Sequence, residues 1–302
     1  MPTPSTLTVA SAQYPIGEPT TLAEWETKIR DWVSRGAATG AKLLVFPEYA
    51  AIEQAAALGP ETKSSLELTL SGVANLADAR VALHRELAAA HGVTILVGSG
   101  PVRTPDGRYV NTAQLVTPSG TVGVQEKIVM TPFERDWGIS AGGPLRVFET
   151  ALGKIAILIC YDSEFPLLAR ALAEAGADII LVPSCTERIS GYHRVRTGSK
   201  ARALENTVAT VQSPTVGDAL WSPAVDRNEG AAGIYVPSEH GVSDDGVLAE
   251  GTVNAAQWVT ATIDLARLAR VRATGEMRNF ADWSLQPGAQ SLKDRVEIVP
   301  LP

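Results

Sequence analysis

Short apolar runs in this chain alternate with longer stretches whose apolar positions recur every three or four residues. Residues 43–46 and 179–182 are wholly apolar runs, stopped by Pro47 and Pro183, and 93–97 is a third short apolar run. Runs without polar alternation predict strands covered on both faces. Residues 7–12 and 208–212 also read as strands, as do 234–237, 247–249 and 258–263. Residues 110–117 and 121–126, joined at Pro118-Ser119-Gly120, predict a hairpin, and 145–148 with 154–159 a second one around Gly153. Thr21 and Glu24 have capping-box spacing and open an amphipathic helix through about Arg35. Further helices are predicted over 65–90, with a break at Ser71-Gly72, and over 198–206. A helix over 165–175 would bury Leu168, Ala171, Leu172 and Ala175 and end at Gly176. Strands alternating with helices predict an α/β layered fold, and the hairpins make its sheets mixed. No internal boundary stands out. The last thirty residues, with several prolines and little periodicity, read as an arm over the surface or onto a partner subunit.

Composition narrows the class. With 302 residues, 45% hydrophobic and 20% charged, the chain can bury a core of ordinary size without disulfides or a structural metal. A net charge of −7 argues against a nucleic-acid partner or an anionic membrane. Two cysteines, Cys160 and Cys185, fit a reducing compartment, and the N-terminus lacks the pattern of a signal peptide, so a cytoplasmic location is expected. No apolar run is long enough to span a bilayer. His and Cys lack the paired short spacings of zinc ligands, and Gly138, Gly142 and Gly143 follow no strand, so neither a metal nor a phosphate-bearing cofactor is expected.

Candidate chemistry collects at predicted strand ends, where ligands gather in open α/β sheets. Glu48 follows the strand at 43–46, Cys160 the one at 154–159, and Ser184 and Cys185 the one at 179–182. If these strands are neighbours, Glu48 and Cys160 share one crevice. Cys160 by residue type also fits a small buried hydrophobe. Its setting, a strand turning into Tyr161-Asp162-Ser163-Glu164, is that of an exposed nucleophile whose neighbouring backbone N–H groups can meet an oxyanion. Taken singly, Glu48, Lys127 and Glu134 also fit solvated surface charges. A Cys–His pair using His193 is the competing enzyme reading, although no orienting Asn or Asp is evident for it; His84 and His91 read as solvated. Cys185 is the alternative nucleophile, without an accompanying carboxylate motif.

Together these segments resemble the nitrilase, or carbon–nitrogen hydrolase, superfamily. The matching pieces are Phe-Pro-Glu-Tyr over 46–49, Glu-Lys at 126–127 and Cys-Tyr-Asp-Ser-Glu-Phe-Pro from Cys160. Gly-Ala-Asp-Ile-Ile-Leu-Val-Pro-Ser from Gly176 and Ala-Arg-Ala-Leu-Glu-Asn from Ala201 extend the resemblance over nearly the whole chain. It implies a four-layer αββα sandwich of two mixed sheets, pairing into an αββα–αββα homodimer or a higher homo-oligomer. Residues 1–272 would form the hydrolase domain and 273–302 the arm. It also implies a cofactor-free Glu48–Lys127–Cys160 triad, with Glu134 as a fourth member. Nitrile-cleaving members carry Trp then Glu after the nucleophile; Tyr161 and Asp162 here resemble amidase-like branches instead.

The implied reaction is hydrolysis of a non-peptide C–N bond in a small amide. Glu48 takes the Cys160 proton, and Lys127 with the Tyr161 N–H meets the oxyanion. Ammonia or an amine leaves a thioester, and Glu48 then activates water. Tyr49, Phe133, Tyr161, Cys185, Arg188, Tyr192 and His193 are the expected pocket wall, with Arg188 placed to grip a substrate carboxylate. Two alternatives stand beside this reading, a nitrile-hydrolysing enzyme and a non-catalytic binding or assembly module on the same fold.

Overall fold

The computed structural model describes residues 4–288. Two mixed sheets stack between helical layers. The first runs in the order Val122–Glu126, Tyr109–Val116, Thr94–Arg103, Leu43–Val45, Thr6–Pro15 and Gln257–Asp264. The second runs Val147–Thr150, Gly153–Ile157, Ile179–Ser184, Ala209–Asp218, Gly233–Tyr235 and Val247–Glu250. They join where Tyr14 and Pro15 pair in parallel with Thr215 and Val216.

Side-chain alternation along the strands builds the layers. Val9, Leu43, Val45, Leu96 and Leu115 of the first sheet share a buried cluster with Ile155, Ile157, Val211 and Ile234 of the second. Ser213 Oγ ties the sheets by donating to the carbonyls of Ala12 (2.8 Å) and Val45 (2.9 Å). The opposite face of the first sheet, with Leu44, Phe46, Ile95 and Val97, packs on Trp25, Ile29, Trp32, Leu83 and Leu87 of the helices Leu22–Ala38 and Ala77–His91. The helices Pro166–Glu174 and Ile189–Asn206 cover the second sheet, giving the αββα order.

Several boundaries differ from the sequence expectation for identifiable reasons. The long helix breaks at Leu76 rather than at Ser71-Gly72, giving Leu66–Asn75 and Ala77–His91. Helix Ile189–Asn206 starts nine residues before the expected 198. Its buried stripe of Tyr192, Val195, Ser199, Arg202 and Asn206 is largely polar, so hydrophobic periodicity does not mark it. Helix Pro166–Glu174 buries Ala169, Leu172 and Ala173, while Ala171 and Ala175 are exposed. At Leu22–Ala38, Thr21 Oγ accepts from Glu24 N, but the Glu24 carboxylate reaches back to Thr20 N instead of completing the box at Thr21. His84 is not solvated; it is buried against Phe46, its Nδ1 2.8 Å from the Arg80 carbonyl oxygen. Helix Leu265–Thr274, absent from the sequence expectation, is capped by Asp264, whose side chain accepts from Arg267 N, and buries Leu265 and Leu268. Of the arm, residues 273–288 include Phe280 and Trp283, whose rings stack on the Arg170 guanidinium of the same chain. The remainder, 289–302, lies outside the described residues.

Candidate active site

Three chain segments bring the candidate residues together. After Leu43–Val45 the chain turns through Pro47, and Tyr49 takes a left-handed conformation (φ 56°). Strand Thr94–Arg103 passes directly beneath, with Ser99 N donating to Pro47 O (3.1 Å) and Ser99 Oγ accepting from Tyr49 N (3.3 Å). Gly98 permits this approach: its φ is +86°, and a Cβ there would lie 2.3 Å from Pro47 O. Lys127 extends strand Val122–Glu126, its N–H donating to Asn111 O at 2.8 Å.

Cys160 opens the 3₁₀ segment Cys160–Glu164 with φ 49°, a conformation uncommon for a residue with a Cβ. Asp162 fixes this turn, its buried carboxylate accepting from Ile159 N (3.2 Å), Ile128 N (3.2 Å) and Val129 N (2.8 Å). One carboxylate thereby ties the Cys160 turn to the segment just after Lys127. Helix Ile189–Asn206 presses on the turn from outside. Arg202 Nη1 donates to Ser163 O at 3.1 Å, and a Cβ on Gly198 would sit 2.9 Å from that same oxygen.

The side chains form one buried polar cluster. Lys127 Nζ lies 2.7 Å from Glu48 Oε1 and 2.6 Å from Glu134 Oε2. Asn111 Nδ2 donates to Glu48 Oε1 (2.9 Å) and Glu134 Oε1 (3.0 Å), and Tyr49 OH donates to Glu134 Oε1 (2.8 Å). Thr131 caps the short helix Pro132–Asp136, and its N–H and Oγ each donate to Glu134 Oε2 at 2.9 Å. Cys185 N–H donates to Glu48 Oε2 at 3.0 Å, while Cys160 Sγ lies 3.8 Å from Cys185 O.

The two glutamates differ electrostatically because their partners differ. Burial raises both, but Lys127 and the donors from Thr131 and Asn111 hold Glu134 below the ordinary carboxylate value. Glu48 has fewer donors and lies beside the charge of Glu134, so burial pushes it up to about 7 despite Lys127. Burial alone would discharge Lys127; Glu48, Glu134 and Cys160 outweigh it and raise the ammonium above its usual value. Burial, reinforced by Glu48, pushes the Cys160 thiol well up. A neutral thiol therefore faces a carboxylate poised to exchange a proton near neutrality.

Cys160 opens onto a cavity of about 510 Å³. Of the expected wall, Tyr49, Phe133, Tyr161, Cys185 and Arg188 line it, together with Glu48, Lys127 and Glu134. Tyr192 and His193 do not. Tyr192 is buried in the helix packing, and His193 faces a separate groove bounded by Thr197 and Ala201. From helix Ile189–Asn206 the cavity takes Ser190, Gly191, Arg194 and Val195 instead. Sequence reading missed Asn111, Thr131 and Asp162. Thr131 with Glu134 has legible capping-box spacing. Asn111 and Asp162 carry no comparable local signal, because their partners come from distant segments.

Residues 8–273 match the family model described as Carbon-nitrogen hydrolase. The chain belongs to the carbon–nitrogen hydrolase family. The chain is 37% identical over 271 residues to the probable hydrolase YhcX of Bacillus subtilis, covering 89% of this chain and 52% of that protein. It is 36% identical over 129 residues to an (R)-stereoselective amidase of Pseudomonas sp, covering 41% of this chain and 44% of that one. The chain thus spans about half the length of these curated relatives. Its fold matches the crystal structure of a carbon–nitrogen hydrolase from Helicobacter pylori G27 with a TM-score of 0.75 at 18% identity, covering 97% of this chain and 99% of that one. The family match and these likenesses place the chain in the nitrilase superfamily. No helix among the described residues is long and apolar enough to cross a membrane.

Proposed function

We propose that this carbon–nitrogen hydrolase cleaves small amides through a thioester on Cys160. The observation that carries this reading is the position of Lys127 Nζ, 2.7 Å from Glu48 and 2.6 Å from Glu134, at the floor of the cavity onto which Cys160 opens. Glu48 takes the thiol proton as Sγ attacks the amide carbon. The carbonyl oxygen gains the electron pair and meets Lys127 and the Tyr161 N–H, which has no protein acceptor among the described residues. Glu48 returns the proton to the departing nitrogen, and ammonia or an amine leaves. It then deprotonates a water that cleaves the thioester, releasing the acid and restoring the thiol. Glu134 keeps Lys127 charged and in place. The amidase relative supports the amide reading, and Tyr161 and Asp162 after the nucleophile favour it over the nitrile. The homodimer and the cytoplasmic location remain parts of the same proposal.

A panel of small primary amides, nitriles and carbamoyl compounds, assayed by ammonia release, tests it. Release from amides, abolished in Cys160→Ala and in Lys127→Ala, is the expected result. Faster turnover of nitriles, or undiminished release by Cys160→Ala, overturns the assignment.

A further inference from the structure

We infer that Asn111 is a positioning residue that selects which oxygen of Glu48 receives the Cys160 proton. The inference rests on the proposed role of Glu48 as the base. Asn111 sits in strand Tyr109–Val116 and is fully buried. Three of its atoms could serve the site, and two do. Its carbonyl oxygen accepts from Lys127 N at 2.8 Å, fixing the backbone that carries the ammonium. Its Nδ2 donates to Glu48 Oε1 and to Glu134 Oε1 at 2.9 and 3.0 Å, so one amide group spaces the two carboxylates. Its Oδ1 is buried without a hydrogen-bond partner among the described residues.

The consequence lies in how the lone pairs of Glu48 are occupied. Oε1 accepts from both Lys127 Nζ and Asn111 Nδ2. Among the described residues, Oε2 accepts from the Cys185 N–H, and the carbonyl of Cys185 is 3.8 Å from Cys160 Sγ. Oε1 thus takes two donors and Oε2 one, so Oε2 keeps the greater capacity for a further hydrogen and is the oxygen we assign to the Sγ proton. A neutral amide suits this task. A second cation in its place would deepen the stabilisation of the carboxylate and weaken it as a base, and a carboxylate would repel both glutamates. The other groups bearing on Glu48 are Lys127, Glu134, Tyr49, Cys160 and Cys185, and all are unchanged by a substitution at this position.

The test measures Cys160 alkylation by iodoacetamide against pH, without any amide substrate, alongside the pH dependence of kcat/KM. In the unsubstituted protein, alkylation at Cys160 that depends on Glu48 supports the underlying reading; if Glu48→Gln leaves it unchanged, that reading fails before Asn111 is considered. In Asn111→Leu, loss of the donor should raise the acid limb of both profiles by about one pH unit or more and lower kcat by at least tenfold, with KM little changed. Asn111→Ser, which retains a donor and a smaller volume, should recover part of the shift and serves if the leucine variant does not fold. Unmoved acid limbs in a folded variant, with losses that track only its thermal stability, would reduce Asn111 to a structural role and overturn the inference.

Discussion

Cys185 and Glu48 are 137 residues apart, yet the amide N–H of Cys185 donates to Glu48 Oε2 at 3.0 Å. The end of strand Ile179–Ser184 thereby supports the base with a backbone group, which side-chain substitution leaves in place. The Cys185 side chain has a different task, since its Sγ turns toward Asn228 Oδ1 at 3.3 Å. Burial pushes this thiol up to about 12, with Glu48 adding to the effect, so it is protonated at neutral pH and has no carboxylate arranged to deprotonate it. Cys185→Ala should keep most of the activity, whereas Cys160→Ala should have none. Intact-mass and peptide analysis after treatment with an electrophilic amide analogue should find the adduct at Cys160; an adduct confined to Cys185 would reverse the assignment.

Tyr49 reaches the site from its left-handed turn to donate to Glu134 Oε1 at 2.8 Å. Glu134 keeps its contacts to Lys127, Asn111 and Thr131 when that hydroxyl is removed. Tyr49→Phe should therefore lower kcat by about tenfold, the lower end for a hydrogen bond to a charged group. The ring still packs against Trp137, so the wall it forms is retained and KM should change little. A loss expressed mainly in KM would show that the hydroxyl binds substrate instead of supporting Glu134.

The legibility of these features in sequence follows from how local their causes are. Strands such as Leu43–Val45 and Ile179–Ser184 announce themselves because both faces are covered and Pro47 and Pro183 interrupt the runs. Glu48 and Cys160 are legible as residues just past strand ends. Lys127 stands out only through the family resemblance, since nothing in Val-Gln-Glu-Lys says that its ammonium is buried between two carboxylates. Asn111 and Asp162 act across 63 and 34 residues respectively, and no local pattern encodes such contacts. Tyr192 and His193 mislead because the helix that carries them begins earlier than its hydrophobic pattern indicates.

Arg188 stands at the cavity wall with its side chain 79% exposed and, among the described residues, a single ion-pair contact, to Glu187 at 3.7 Å. Such a cation attracts an anionic substrate weakly and is screened by salt. Arg188→Ala should raise KM for carboxylate-bearing amides by roughly two- to fivefold at low ionic strength and leave neutral amides unchanged. The difference should disappear near 1 M salt, where the Debye length is about 3 Å. An equal effect on neutral and anionic amides would assign Arg188 to shaping the wall instead.

His84 gives the fold a specific acid sensitivity. Its burial against Phe46 lowers its pKa from 6.5 to about 4, and the Arg80 charge contributes in the same direction while the Arg80 carbonyl opposes it. The native state holds the imidazole neutral, whereas the unfolded chain takes up its proton near 6.5. Stability from this residue is thus fully present above about pH 6.5 and is lost as pH falls toward 4, by on the order of 3 kcal/mol. Asp162, pushed up to about 6 by burial, works in the opposite sense: its contribution is present below its ordinary value and is lost as pH rises through 6. His84 opposes Asp162 and the similarly raised Glu48 in the unsubstituted protein, so the informative quantity is a difference. Urea unfolding of the wild type and His84→Leu at pH 7.5 and at pH 4.5 should show the variant gaining relative stability on acidification. The same comparison with Asp162→Asn should show the variant losing relative stability. Parallel pH profiles for wild type and His84→Leu would mean that the imidazole is not the group that titrates in this window.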